Sequence, residues 1–261
     1  MPQPLKVVYH VEPDAAALAQ RAARYIVESV EEAVRRRGWA RMAISGGGTP
    51  KPVFEALAAP AQPWRARMPW DKIEIFWVDE RCVPPADAAS NYNMTRQAML
   101  DHVPLRPGQI HRMEGELEPE AGAARYEAAM RNSFRLEGAE TPRFDVIQLG
   151  LGPDGHTASL FPHTPALHEF GRLAVPNLTN AAQAWRLTLT APVINNGANV
   201  FFLVAGADKA QVLKDVFLGP RDPERLPSQL IRPASGILTL LLDKDAAALL
   251  PPTGEDGRGE L

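Results

Sequence analysis

Short, almost wholly apolar runs alternate along this chain with longer segments whose apolar residues recur at helical spacing. "LKVVYHV" (Leu5–Val11) reads as a strand. Asp14–Arg37 follows as a helix, with Leu18, Ala22, Ile26, Val30 and Val34 on one stripe, Asp14 as its cap and Gly38 at its end. "RMAIS" is a short strand running into "GGGTPKPVFEAL", a glycine turn and then a helix. Lys72–Glu80 ("KIEIFWVDE") reads as one further strand. "NYNMTRQAML" starts a helix capped by Asn91, and Pro119–Leu136 is an amphipathic helix. "FDVIQLG" and "NVFFLVAG" are apolar throughout, as in strands buried on both faces. "ADKAQVLKDVFL" continues the second as a helix, and "GILTLLLD" with "DAAALL" repeats the strand–helix order. This alternation predicts an α/β fold with a mostly parallel sheet covered by helices. No internal repeat interrupts it. Pro60–Pro69 reads as a connector rather than a boundary. The chain is expected to form one domain over 1–261, with the polar tail from about 251 to 261 frayed.

Composition narrows the classes of function. At 261 residues, 45% apolar and 23% charged, the chain has the make-up of an ordinary soluble globular protein. Its net charge of -3 supplies no field for nucleic acid or an anionic membrane. The single cysteine, Cys82, cannot form an internal disulfide, which fits a reducing compartment. The first residues carry no basic segment followed by an apolar core, and no run has the ~18 apolar residues of a membrane span. A cytoplasmic protein is expected.

In open α/β sheets ligands bind beyond the carboxyl ends of the strands, and the residues at those ends are informative. Ser45, Gly46, Gly47, Gly48 and Thr49 follow "RMAI", with Pro50 opening the next helix. Glycines let backbone N–H groups approach a phosphate, and the helix start adds to the attraction. The alternative is a tight turn with no ligand. No G-K-[S/T] ends it, so it is not a Walker loop.

"LGLGPDGHTASLFP" (Leu149–Pro162) places Gly150, Gly152 and Gly155 at the spacing G-x-G-x-x-G. A dinucleotide site needs an acidic residue about 20 positions on, at the next strand end. The next candidate strand, "RLAVPN", ends without one, Glu169 precedes it, and Pro153 stands inside the turn. The spacing is therefore read as accidental, and His156 becomes the residue of interest. Imidazole exchanges protons near neutral pH, and Asp154 or Glu80 could orient the ring. There is no H-E-x-x-H and no Cys/His cluster, and His156 with His163 lacks a third ligand, so no metal is expected. G-x-S-x-G is absent too. Arg81 is either half of a surface ion pair or a stabiliser of a developing oxyanion. Arg186 and Lys209 are surface charges unless the sheet brings them beside the Gly46–Thr49 turn, where they would clamp a phosphate.

In order, "SGGGTP", "WVDER", "SNYNM", "LGLGPDGHTASLFP", "WRLTLTAPVINN", "LVAGADKA" and "RPASGILTLLLDKDAA" resemble the 6-phosphogluconolactonases, in the broader family that also holds glucosamine-6-phosphate deaminase. Ser45 to Ala247 is covered. The deaminases carry "DEY" and "GHIAFNEP" where this chain has Asp79-Glu80-Arg81 and "GHTASLFP", so Leu160 and Phe161 stand near the deaminase carboxylate position. The resemblance implies a three-layer α/β/α sandwich with a Rossmann-like sheet. It implies hydrolysis of a phosphorylated sugar lactone, 6-phosphoglucono-δ-lactone, in the oxidative pentose phosphate pathway, with no cofactor, no metal and no obligate protein partner. By resemblance His156 is the general base, Arg81 holds the oxyanion, and Asp154 orients His156 or a sugar hydroxyl. Ser45, Gly46, Gly47, Gly48, Thr49, Arg186 and Lys209 hold the substrate and its phosphate. The rival readings are an amino-sugar-phosphate deaminase and a sugar-phosphate sensor, for whose effector module the chain leaves no room.

Overall fold

The computed structural model describes residues 5–179, 184–234 and 237–261. In chain order the elements are β1 (Lys6–Glu12), α1 (Ala15–Arg37), β2 (Ala40–Ile44), α2 (Lys51–Ala58), α3 (Pro63–Arg67), β3 (Ile73–Trp77), β4 (Asp79–Arg81), α4 (Asn91–Ala98), β5 (Ile110–His111), α5 (Pro119–Phe134), β6 (Val146–Leu149), β7 (Ala174–Leu178), β8 (Trp185–Leu189), α6 (Ala191–Asn195), β9 (Asn199–Val204), α7 (Ala210–Leu218), β10 (Ile237–Asp243) and β11 (Arg258–Glu260). Eight strands form one sheet in the order β11-β1-β10-β9-β6-β2-β3-β5. Every pair in it is parallel except β1 with β11.

Side-chain parity explains the layers. Successive strand residues point to opposite faces, and here both faces are apolar. Met42, Ile44, Ile75, Trp77, Phe201, Leu203 and Leu241 pack with α1, α2 and α4 in one core. Their neighbours Ala43, Phe76, Ile147, Val200, Phe202, Leu240 and Leu242 pack with α5, α6 and α7 in the other. The expected three layers are present. Helix α1 follows its sequence pattern closely. Asp14 accepts the Ala17 N–H at 2.8 Å, Gly38 closes the helix at φ 80°, and Leu18, Ala22, Ile26 and Val30 are buried.

Other expectations are corrected. Lys72–Glu80 is not one strand. At Val78 the chain leaves the main sheet: Val78 N–H donates to Ile44 O at 2.9 Å, while Val78 O accepts from Leu189 at 2.8 Å. Asp79–Arg81 then belongs to a second, antiparallel sheet, β4-β8-β7. Ser90, not Asn91, caps α4, accepting the Asn93 N–H. α5 stops at Phe134, because Arg135 takes a left-handed backbone at φ 54°. The connector Pro60–Pro69 contains α3. "DAAALL" forms turns, held where Asp243 accepts the N–H groups of Gly206 and Ala246. The 251–261 tail, expected to fray, contributes β11, with its register set by His10 opposite Arg258. Ser235 and Gly236 of the "RPASGILTLLLDKDAA" motif lie outside the described residues.

Candidate active site

From β2 the chain builds the sheet outward through β3 to β5, and from β6 it builds the other way through β9 and β10. The order reverses between β2 and β6, where a crevice opens at the carboxyl ends of such strands. A buried reciprocal pair spans that point. Ser45 N–H donates to Gln148 Oε1 at 3.0 Å, and Gln148 Nε2 donates to Ser45 Oγ at 2.7 Å. Gln148 is not among the residues the motifs single out, although one amide in an otherwise apolar strand marks it.

Above this pair lies a cleft of about 190 Å³, lined by Ser45–Pro50, Asp79, Arg81, Asn91, Gly150–Gly152, His156–Ala158, Leu203–Ala205 and Lys209. Of the residues singled out in the sequence, it brings together the whole Ser45–Thr49 turn, Arg81, His156 and Lys209. The turn needs glycine where Asn91 approaches: a Cβ on Gly46 would lie 1.9 Å from Asn91 Oδ1. Asn91 Nδ2 donates to Asp79, at 2.9 Å to the carbonyl and 3.2 Å to Oδ1, and Asp79 Oδ2 accepts from Ser159 Oγ at 2.7 Å. Asp79, Asn91 and Ser159 thus brace the cleft wall. They sit in motifs already quoted, but nothing in their spacing shows that they touch.

His156 is fixed from three sides. Its Nδ1 lies 2.5 Å from Asp154 Oδ1, the oxygen that also accepts the His156 backbone N–H at 3.2 Å. Its ring stacks on Phe161, with centroids 4.2 Å apart. It also covers Gly152 so closely that a Cβ there would fall 2.1 Å from the ring. Expected in an exposed turn, the imidazole is only 25% exposed. With Nδ1 turned to a carboxylate, Nε2 is the nitrogen left to accept a proton. Burial of Asp154 opposes its charge, but the hydrogen bond and charge of His156 outweigh that and hold the carboxyl below the usual carboxylate range. Asp154 itself faces a neighbouring hollow with Asp208 and Arg225. Glu80, the other candidate orienter, is occupied elsewhere. It is 2% exposed and accepts the N–H groups of Arg81, Asn91 and Tyr92 and the Ser90 hydroxyl. Burial pushes its carboxyl up, against the pull of those backbone bonds.

Arg81 holds the Ala89 carbonyl through Nη1 at 2.7 Å and stands directly opposite Arg186 across β4 and β8. Arg186 does not line the His156 cleft. It lines an adjoining one of about 580 Å³, with Cys82 and Trp185, and Arg81 borders both. Burial, then the Arg81 charge, holds the Arg186 guanidinium below its usual value, and its buried Nε has no hydrogen-bond partner among the described residues. Lys209 Nζ lies 3.5 Å from Asp208. Among the described residues no group of three or more His, Cys, Asp or Glu is arranged to hold a metal ion, and no helix is long and apolar enough to cross a membrane.

The family described as glucosamine-6-phosphate isomerases/6-phosphogluconolactonase matches residues 13–240. A 6-phosphogluconolactonase of Synechocystis is 43% identical over 236 residues, 90% of this chain and 95% of the relative. The crystal structure of a devB protein superposes with a TM-score of 0.85 at 33% identity, covering 94% of this chain and 100% of that one. The 6-phosphogluconolactonase of Trypanosoma brucei gives 0.79 at 26% identity, over 96% and 100%. The chain belongs to the glucosamine-6-phosphate isomerase/6-phosphogluconolactonase family. Within it, the chain groups with the 6-phosphogluconolactonases, which are lactone hydrolases.

Proposed function

We propose that this chain hydrolyses 6-phosphoglucono-δ-lactone to 6-phosphogluconate in the oxidative pentose phosphate pathway, with His156 as general base. The observation that carries the reading is the His156 ring, held on Asp154 through Nδ1 in one cleft with the glycine turn, Arg81 and Lys209. Water is a poor nucleophile at neutral pH. His156 Nε2 takes a proton from it as its oxygen attacks the lactone carbonyl carbon. The carbonyl oxygen becomes an oxyanion, which the Arg81 guanidinium stabilises. As the ring C–O bond breaks, the imidazolium returns its proton to the leaving alkoxide, and the acid and hydroxyl are released. Asp154 keeps the tautomer that leaves Nε2 free.

The phosphate is held at the Ser45–Thr49 turn by backbone N–H groups and by Lys209. Arg186 acts from the far side of Arg81. Like charges opposite each other on paired strands repel, and an anion bound beside Arg81 eases that repulsion. Phe161 supports hydrolysis over ring-opening deamination: near the position where the deaminases carry a carboxylate, this chain has an apolar ring, stacked on His156.

The test is an assay on freshly made 6-phosphoglucono-δ-lactone, corrected for spontaneous hydrolysis. Wild type is expected to accelerate it, and folded His156→Ala to lose about 10²–10⁴-fold in kcat. Ammonia release from glucosamine 6-phosphate, or full activity in His156→Ala, overturns the reading.

A further inference from the structure

A cavity larger than either cleft described above lies at the opposite end of the sheet from His156. It is a groove of about 1170 Å³ at the amino ends of the central strands, where Trp39, Arg41, Glu74, Asp145 and Asn199 stand. Five arginines line it: Arg36, Arg37, Arg41, Arg135 and Arg143. Three are neutralised in place. Glu32 takes Arg36, Asp145 takes Arg37, and Glu74 takes Arg41. Arg36 and Arg37 also complete the last turn of α1, where a cation suits the helix dipole. Arg135 follows the last turn of α5, Arg143 stands at no helix end, and among the described residues no carboxylate pairs with either. Arg135 is held there in left-handed backbone at φ 54°, a conformation that usually goes to glycine. Two uncompensated guanidiniums in a chain of net charge -3 make a local site for a dianion rather than a general field for a polyanion. The third feature is Trp39, a residue 42% exposed that lines the same groove. An exposed indole beside arginines can stack a flat ring.

We propose that this groove binds an aromatic phosphate monoester of the nucleoside monophosphate type. Its phosphate is held by Arg135 and Arg143 and its ring lies on Trp39. The charge count fits: a monoester phosphate carries close to two negative charges at pH 7. At about 1170 Å³ the groove has room for such a ligand.

The experiment is calorimetric titration of AMP into the full chain, with adenosine and inorganic phosphate as partial ligands. AMP is expected to bind one to one, and more tightly than either partial ligand. Binding is expected to survive in Lys209→Ala, which disables the phosphate cradle of the other cleft. It is expected to weaken at least about 10-fold in the Arg135→Ala/Arg143→Ala double variant and clearly in Trp39→Ala, since hydrogen bonds between charged groups are the stronger ones. Arg135, Arg143 and Trp39 are exposed and outside the catalytic cleft, so their variants should keep wild-type melting temperatures and wild-type lactone hydrolysis. No heat at millimolar AMP, binding abolished by Lys209→Ala alone, or inorganic phosphate binding as tightly as AMP would each overturn the proposal.

Discussion

Gly152 and His156 form a matched pair: the glycine has no side chain because the imidazole occupies the place where one would be. Gly152→Ala must push the ring away, and a ring moves more easily than backbone. The expected result is a folded protein with near-normal melting temperature whose kcat is about 10–100-fold lower, since small displacements of a catalytic group carry such penalties. A drop in stability without a drop in kcat would show the ring yielding nothing. Arg81→Lys keeps a charge but loses the planar fork that holds the Ala89 carbonyl. It should lower kcat more than it changes KM for the phosphorylated lactone, and an unchanged kcat would remove Arg81 from the oxyanion role. At this scale much was legible. The Asp154–His156 pair is local in sequence, so two residues of separation nearly fix its geometry. Choosing Asp154 over Glu80 was not legible, because it depends on where β4 carries Glu80. Arg186 shows the same limit: its charge can be read, but the cleft it lines depends on strand pairing.

The break after β3 decides what the cleft can contain. A parallel strand running on through Glu80 would have kept Asp79 and Arg81 within the main sheet. Turning away at Val78 lets Asp79 and Arg81 meet the glycine turn, while Glu80 points into the start of α4. Alternation of strands and helices predicted the main sheet, yet it could not show this departure. Val78 is as apolar as the strand residues before it, and the partner strand β8 lies more than a hundred residues on. Glu80 tests the joint. It accepts three backbone N–H groups and a hydroxyl with its two oxygens, and glutamine would present an NH₂ to one of those donors. Glu80→Gln is expected to lose about 1–3 kcal/mol of stability through an unsatisfied buried donor. The variant should also carry weaker activity, because Arg81 and Asn91 are bonded through the same carboxylate. An unaltered thermal melt would mean that Glu80 is not what sets this joint.

Acid reaches the whole molecule through His10. Burial, then the charges of Arg21 and Arg258, push its imidazole down to about 4, and Arg21 Nη2 lies 2.6 Å from Nδ1, a nitrogen that must stay unprotonated to accept. An unfolded histidine takes its proton near pH ~6.5. Between that pH and about 4 the unfolded chain therefore binds a proton that the folded chain refuses. Stability from this site is intact above pH ~6.5 and is lost progressively as pH falls toward 4. Melting temperatures should fall over that window in wild type and fall less in His10→Gln, which still accepts from Arg21. Equal slopes in the two proteins would assign acid sensitivity to other groups.

The shortness of β11 and β5 has a bearing on how the molecule meets its own copies. A parallel sheet with long outer strands presents rows of unpaired N–H and C=O groups on which a neighbour can extend it. Here the seven-residue β1 is backed on one side by β10 and covered on the other by the three residues of β11, while the opposite margin ends in the two residues of β5. Neither border is long enough to seed a ladder with a second chain. The polar C-terminal segment, uninviting as a structural element by composition, works as a selvage that keeps an apolar fabric from being woven onto the next.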